Sequence, residues 1–297
     1  TGENGGGAFL VVYLALLFTV AISVLLAEFV VGRAARRNPV GAYRALGGRF
    51  WPLFGFLGVA AGFVILSFYS VIGGWTIAYL QQAIVAGFPS SDPAVVGPAF
   101  DSLIGDPLTP LVYHGIFMAL TVAISLGGVR GGIERWSRLL MPVLFGLVVL
   151  LAARALSLPG AWDGVAFFLA PDFGDIDADT ILAAFSQALF SLSVGMGAMV
   201  TYGSYLSREV NLPGATAWVV VLDATIAGLA GLMILPAVFA FGFDPGSGPA
   251  LTYITLPAVF AAMPAGAVFG ALFFLLLLIA AVTSAVSLME PFVAFVV

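Results

Sequence analysis

Runs of about 20 mostly apolar residues, the length a helix needs to cross a bilayer, recur along nearly the whole chain and restrict its fold more than any other feature. Composition agrees with them: 62% of the 297 residues are apolar and only 8% are charged, with a mean hydropathy of +1.14. Soluble domains carry about a quarter charged residues, so a soluble fold is excluded. There are no cysteines, hence no disulfide framework and no thiolate metal site. His114 is the single histidine.

Seven spans are expected: Ala8 to Val31, Trp51 to Ala86, Leu111 to Gly128, Leu139 to Leu158, Ile181 to Leu206, Ala215 to Gly242, and Ala265 to the last residue. Basic residues orient them, because short cytoplasmic loops collect arginine and lysine. Arg33, Arg36, Arg37, Arg44 and Arg49 follow span one, Arg130, Arg135 and Arg138 follow span three, and Arg208 follows span five. Only Arg154 falls on the other side, where Asp92, Asp101, Asp106, Asp163, Asp172, Asp175, Asp177, Asp179 and Asp244 gather. The arginine-rich side is read as cytoplasmic and the N-terminus as extracellular. Thr1 at the start and the apolar Ala294–Val297 at the end predict one transmembrane domain, residues 1–297, belonging to a longer protein with spans missing at both ends. The stretch from Phe243 to Pro264 reads as an outer lid of two short helical pieces, around Leu251 and Val259, or as a plain connector.

Polar groups inside spans are costly and are functional candidates by default. Span five carries Gln187-Ala188-Leu189-Phe190-Ser191-Leu192-Ser193-Val194-Gly195-Met196-Gly197. Two glycines beside two hydroxyls predict either a broken helix, which bares carbonyls and amide dipoles at mid-membrane, or a stripe of small residues for close packing. In span seven Ala280, Thr283, Ser284 and Leu288 share one face. Their hydroxyls and carbonyls suit a hard cation, or simply bond back to the helix's own carbonyls. Asp223 sits in span six among Val219, Val220, Val221 and Leu222, with no basic side chain placed to pair with it; a bound cation or a proton would lift that cost. Ile65 and Tyr69, four apart on one face, could offer an amino acid an apolar wall and one hydroxyl, or be ordinary core. Glu28 lies a turn from the cytoplasmic arginines, which predicts a local ion pair, and Glu290 precedes Pro291 without a role of its own.

Several motifs, in order, resemble the neurotransmitter:sodium symporter family. Glu3-Asn4-Gly5-Gly6-Gly7-Ala8-Phe9 is similar to the start of its second helix, and Tyr69-Ser70-Val71-Ile72-Gly73-Gly74-Trp75 to its third. Gly131-Gly132-Ile133-Glu134-Arg135 through Met141-Pro142 is similar to the start of its fifth, Gln187–Gly197 to its unwound sixth, and Ala280–Pro291 to its eighth. The resemblance implies an all-α, polytopic helix bundle of the bacterial leucine transporter type, built on inverted repeats, of which this chain would hold helices two to eight.

It further implies sodium-coupled symport of a neutral, apolar amino acid by alternating access at a plasma membrane. Ser191 and Asp223 would belong to a first sodium site, and Ala280, Thr283 and Ser284 to a second. Ile65, Tyr69, Phe190, Ser193, Met196, Ser284 and Leu288 would line the substrate pocket, with Tyr69 on the carboxylate. Gln187 and Phe190 would form the outer gate and Tyr205 the inner one, while Gly132 and Pro142 would mark a point where the fifth helix unwinds. Asp223 departs from the asparagine of many members, and a fixed carboxylate there would make chloride unnecessary. No cofactor, nucleic-acid partner or enzyme activity is expected, since no phosphate-binding loop or catalytic constellation appears. A proton-coupled permease, or a receptor or channel on the same fold, are the alternatives.

Overall fold

In lipid each backbone amide must find a partner within its own segment, which for a single apolar run leaves the helix. The computed structural model describes residues 1–246, 248 and 250–296, and it is helical nearly throughout. In chain order the helices are α1 (Gly7–Ala35), α2 (Pro39–Leu46), α3 (Pro52–Val85), α4 (Pro93–Gly105), α5 (Thr109–Leu126) and α6 (Gly131–Leu156). There follow α7 (Ala161–Leu169), α8 (Ala178–Ser191), α9 (Ala198–Tyr205), α10 (Leu212–Ala240), α11 (Leu251–Ala262) and α12 (Gly266–Val296). Among the described residues six of these, α1, α3, α5, α6, α10 and α12, are long and apolar enough to cross a membrane. They correspond to expected spans one, two, three, four, six and seven. Span four begins at Gly131 rather than Leu139, because a π-turn over Gly128–Glu134 runs on into the helix. Span five is not continuous; it is divided between α8 and α9.

Three short helices, α2, α4 and α7, lie in connections that the apolar pattern left open. Asn38 accepts from the Gly41 amide at 2.8 Å, with Pro39 at the first helical position of α2. Asp92 accepts from Ala94 in the same way ahead of Pro93 in α4. An Asx cap followed by proline satisfies an orphan amide and presets φ.

The chain forms two compact units, one comprising Thr1–Leu10, Ser70–Ile176 and Ile226–Thr283, the other Val11–Tyr69, Asp177–Thr225 and Ser284–Val297. The first unit is centred on aromatic residues. Tyr79 donates to the Tyr253 carbonyl at 2.7 Å, the Tyr253 hydroxyl lies 2.9 Å from that of Thr76, and Phe100 stacks on Tyr253 at 5.7 Å. These contacts fix α11, whose Tyr253, Leu256, Val259 and Phe260 are buried. The expected pair of lid pieces is therefore one helix, opened by a π-turn over Leu251–Thr255. In the second unit α9 packs along the latter half of α1, where Gly32 approaches the Val200 carbonyl so closely that a Cβ would fall 2.0 Å from it. Such approach of small residues is the usual basis of helix packing in lipid.

A broken helix with a carboxylate beside it

The second unit contains the break. α8 ends at Ser191, α9 starts at Ala198, and the residues between are non-helical. Three of them have left-handed φ: Ser193 (53°), Gly195 (87°) and Gly197 (75°). Glycine takes that conformation without a Cβ penalty, so the two glycines are what let the chain turn here, and Ser193 carries strain that its neighbours sustain. Of the two expectations for this stretch, the broken helix is the one observed.

Ser191 closes α8 at the break, and its Oγ donates to Asp223, 2.7 Å from both carboxylate oxygens. The Tyr13 hydroxyl, from α1, donates to Oδ2 of the same carboxylate at 3.2 Å. Two hydroxyls from two other helices thus serve a half-buried carboxylate that has no basic partner among the described residues. Tyr13 was not identified from the sequence, and nothing local marks it; it stands 210 residues from Asp223.

Glu28 is a correction. An ion pair with the cytoplasmic arginines was expected, but Glu28 Oε1 instead accepts from the Gly195 amide at 2.7 Å. Arg33 donates to the Val210 carbonyl. The physical reason is that the break leaves helix amides without intrahelical partners, and a carboxylate is a strong acceptor for one of them. Glu28 Oε2 is buried and has no partner among the described groups.

One face of α3 meets the break. Gly58, Gly62, Ile65 and Tyr69 follow at i, i+4, i+7 and i+11. A Cβ at Gly58 would sit 3.2 Å from the Gly195 carbonyl, and one at Gly62 would sit 3.6 Å from the Met196 carbonyl and 3.5 Å from that of Leu288. Further along that face Tyr69 pairs with the Ser284 side chain. Ile65, Tyr69, Met196, Ser284 and Leu288 therefore lie on three segments that approach one another. Ser193 turns directly after Phe190, its amide donating to the Phe190 carbonyl at 3.0 Å. Phe190 and Gln187 are exposed. Tyr205, at the end of α9, donates to Glu290 at 2.7 Å, and Tyr202 to Ser287 at 3.0 Å. Glu290 thus has a partner that its position before Pro291 did not disclose.

Ala280 and Thr283 belong to the first unit, and Ser284 opens the last segment of the second. The Thr283 hydroxyl donates to the carbonyls of Ile279 and Ala280, each at 3.0 Å, the back-bonded geometry open to a buried threonine. Gly132 lies in the π-turn that opens α6, while Pro142 is accommodated further inside that helix. No group of three or more His, Cys, Asp or Glu side chains converges among the described residues. The oxygen groups at the break are hydroxyls, carbonyls and the carboxylates of Asp223 and Glu28, all hard oxygens.

Comparison with known proteins decides the family. The model of the sodium:neurotransmitter symporter family matches residues 1–93 and 105–297. The chain belongs to that family. It is 44% identical over 294 residues to an uncharacterized sodium-dependent transporter of Bacillus subtilis, covering 99% of this chain and 65% of the relative. It is 36% identical over 300 residues to another from Haemophilus influenzae, covering 97% and 66%. The chain thus spans about two thirds of the length of these curated relatives. Among solved structures, that of MhsT in complex with L-phenylalanine is 46% identical, with a TM-score of 0.91, and covers 99% of this chain and 67% of that one. The expected fold, an all-helical bundle of the leucine-transporter type, is the fold observed. The family is one of membrane transporters, not of enzymes.

Proposed function

We propose that the whole protein, of which residues 1–297 form one transmembrane domain, is a sodium-coupled symporter for a neutral, apolar amino acid. The observation that carries this reading is that Ser191, at the end of a helix that breaks, is hydrogen-bonded to the Asp223 carboxylate of α10. Their oxygens, with carbonyls of the break, are the ligands a small hard cation takes. Interrupted helices are where transporters of this kind hold ions and zwitterions.

In this reading Ser191 and Asp223 ligate one sodium, and Ala280, Thr283 and Ser284 contribute to a second when the Thr283 hydroxyl turns from its own helix. Tyr69 releases Ser284 and donates to the substrate carboxylate. Ile65, Phe190, Met196 and Leu288 surround an apolar side chain, and the relative solved with L-phenylalanine supports an aromatic or aliphatic one. Ser193 lends its hydroxyl at the edge of the break. Phe190 and Gln187 close the outer side, and the Tyr205–Glu290 hydrogen bond holds the inner side. Sodium favours the outward-open form, and substrate completes the site, so that the two gates open in turn. The protein works in the plasma membrane with its arginine-bearing loops in the cytoplasm and residue 1 outside.

The Asp223 carboxylate supplies a fixed negative charge beside the sodium, so no anion is needed. Uptake of radiolabelled phenylalanine by proteoliposomes of the whole transporter is expected to vanish when choline replaces sodium and to be unchanged when gluconate replaces chloride. Uptake indifferent to sodium and driven by a pH gradient would replace the reading with proton symport at Asp223. Binding without counterflow would leave a receptor. Strong inhibition by gluconate would remove the chloride claim alone.

A further inference from the structure

The first unit holds a cavity that the transport reading does not use. It has a volume of about 610 Å3 and lies between the end of α3, α4 and the start of α5. Small-molecule sites commonly fall between about 300 and 1,000 Å3. Its walls are of two kinds. Val85, Phe88, Ala99 and Leu103 make an apolar side with the ring of Tyr79, and Gln82, Asp106 and the Tyr113–Gln81 hydrogen-bonded pair make a polar one.

Two further observations bear on its occupant. Among the described residues no basic side chain lines the cavity, and from Phe50 to Val129 the sequence carries Asp92, Asp101 and Asp106 but no arginine or lysine. Asp106 accepts from the Leu108 and Thr109 amides and from the Thr109 hydroxyl, and among the described residues it pairs with no cation. These donors hold its carboxyl below the ordinary carboxylate range, so it is charged at neutral pH. In addition, residues 94–104, which the family model leaves unmatched, are the body of α4, and α4 supplies Ala99 and Leu103 to the wall. The cavity is built in part by a segment outside the family model's match, whereas the residues of the proposed transport site lie within it.

We propose that this cavity binds a small organic cation, an ammonium group carried on an aromatic or short aliphatic body. The ammonium lies against Asp106 with Gln82 as a second polar contact, and the body lies along Phe88, Val85 and Leu103. An aromatic face and a carboxylate together favour a cation over its neutral or anionic isostere.

The test is equilibrium dialysis of radiolabelled phenethylammonium against the whole transporter in nanodiscs, with empty nanodiscs subtracted. 2-Phenylethanol and phenylacetate serve as neutral and anionic comparators. Ala99→Trp fills the cavity from an exposed position and is expected to abolish binding. Asp106→Asn keeps the turn before α5, because asparagine caps as aspartate does, and is expected to weaken binding about fivefold. The alcohol should bind wild-type protein as weakly as the cation binds Asp106→Asn, and the acid should not bind. Tyr69→Phe, which alters the transport site alone, should leave binding of the cation unchanged. No saturable binding to wild type, equal binding of cation and alcohol, full binding to Ala99→Trp or Asp106→Asn, or loss with Tyr69→Phe would each overturn the proposal.

Discussion

At the scale of single residues the break is held by acceptors and donors reaching it from other helices. Glu28 is the clearest case, since one oxygen takes the Gly195 amide and the other has no partner among the described residues. Glutamine keeps an oxygen for Gly195 and differs little in shape, whereas alanine leaves a buried amide unsatisfied, at a cost of about 1–3 kcal/mol. Glu28→Ala is therefore expected to lower the thermal unfolding midpoint of the detergent-solubilised protein, and Glu28→Gln to change it far less. Equal midpoints for Ala and wild type would show that Glu28 does not hold the break. The residue scale is also where the sequence was least informative. Asp223 was visible as a lone carboxylate among valines, but its donor Tyr13 reads as one more aromatic residue in an apolar span. Glu28 looked paired by proximity to Arg33; the orphan amides of a break in another span, 167 residues away, drew it elsewhere. Contacts of that separation leave no periodic trace in either partner.

At the scale of elements, what was legible was whatever a helix announces locally. Six spans followed from length and apolarity, and an interruption of the fifth was one of the two readings open to Gly195 and Gly197 next to two serines. The short helices α2 and α4 carry Asn-Pro and Asp-Pro caps that could have been read, yet they are too short to stand out against the longer apolar pattern. The lid was recognised as helical, but its continuity rests on Tyr253 and Phe100, which meet only in the fold. The break itself makes a separable prediction. Gly197 has a φ of 75°, and a Cβ there would lie 2.9 Å from Pro39 Cγ, whereas Gly195, with a φ of 87°, has open space around it. Gly195→Ala should cost only the conformational penalty, about 1–2 kcal/mol, and Gly197→Ala more, because α2 must also shift. Thermal unfolding of the two variants in one detergent would rank them, and equal cost would mean that α2 does not brace the break.

At the scale of the whole molecule, membership in the sodium:neurotransmitter symporter family places an interrupted helix and a hydroxyl-served carboxylate in a transporter. The central claim is that these oxygens bind the coupling ion. The direct measurement is the sodium dependence of amino-acid binding to the whole transporter, wild type against Ser191→Ala and Asp223→Ala, with proton concentration fixed. Losing the Ser191 oxygen should raise the half-saturating sodium concentration about tenfold, some 1.4 kcal/mol, and losing Asp223 should raise it further, while binding at saturating sodium persists for Ser191→Ala. Half-saturating sodium concentrations that match wild type in both variants would contradict the account.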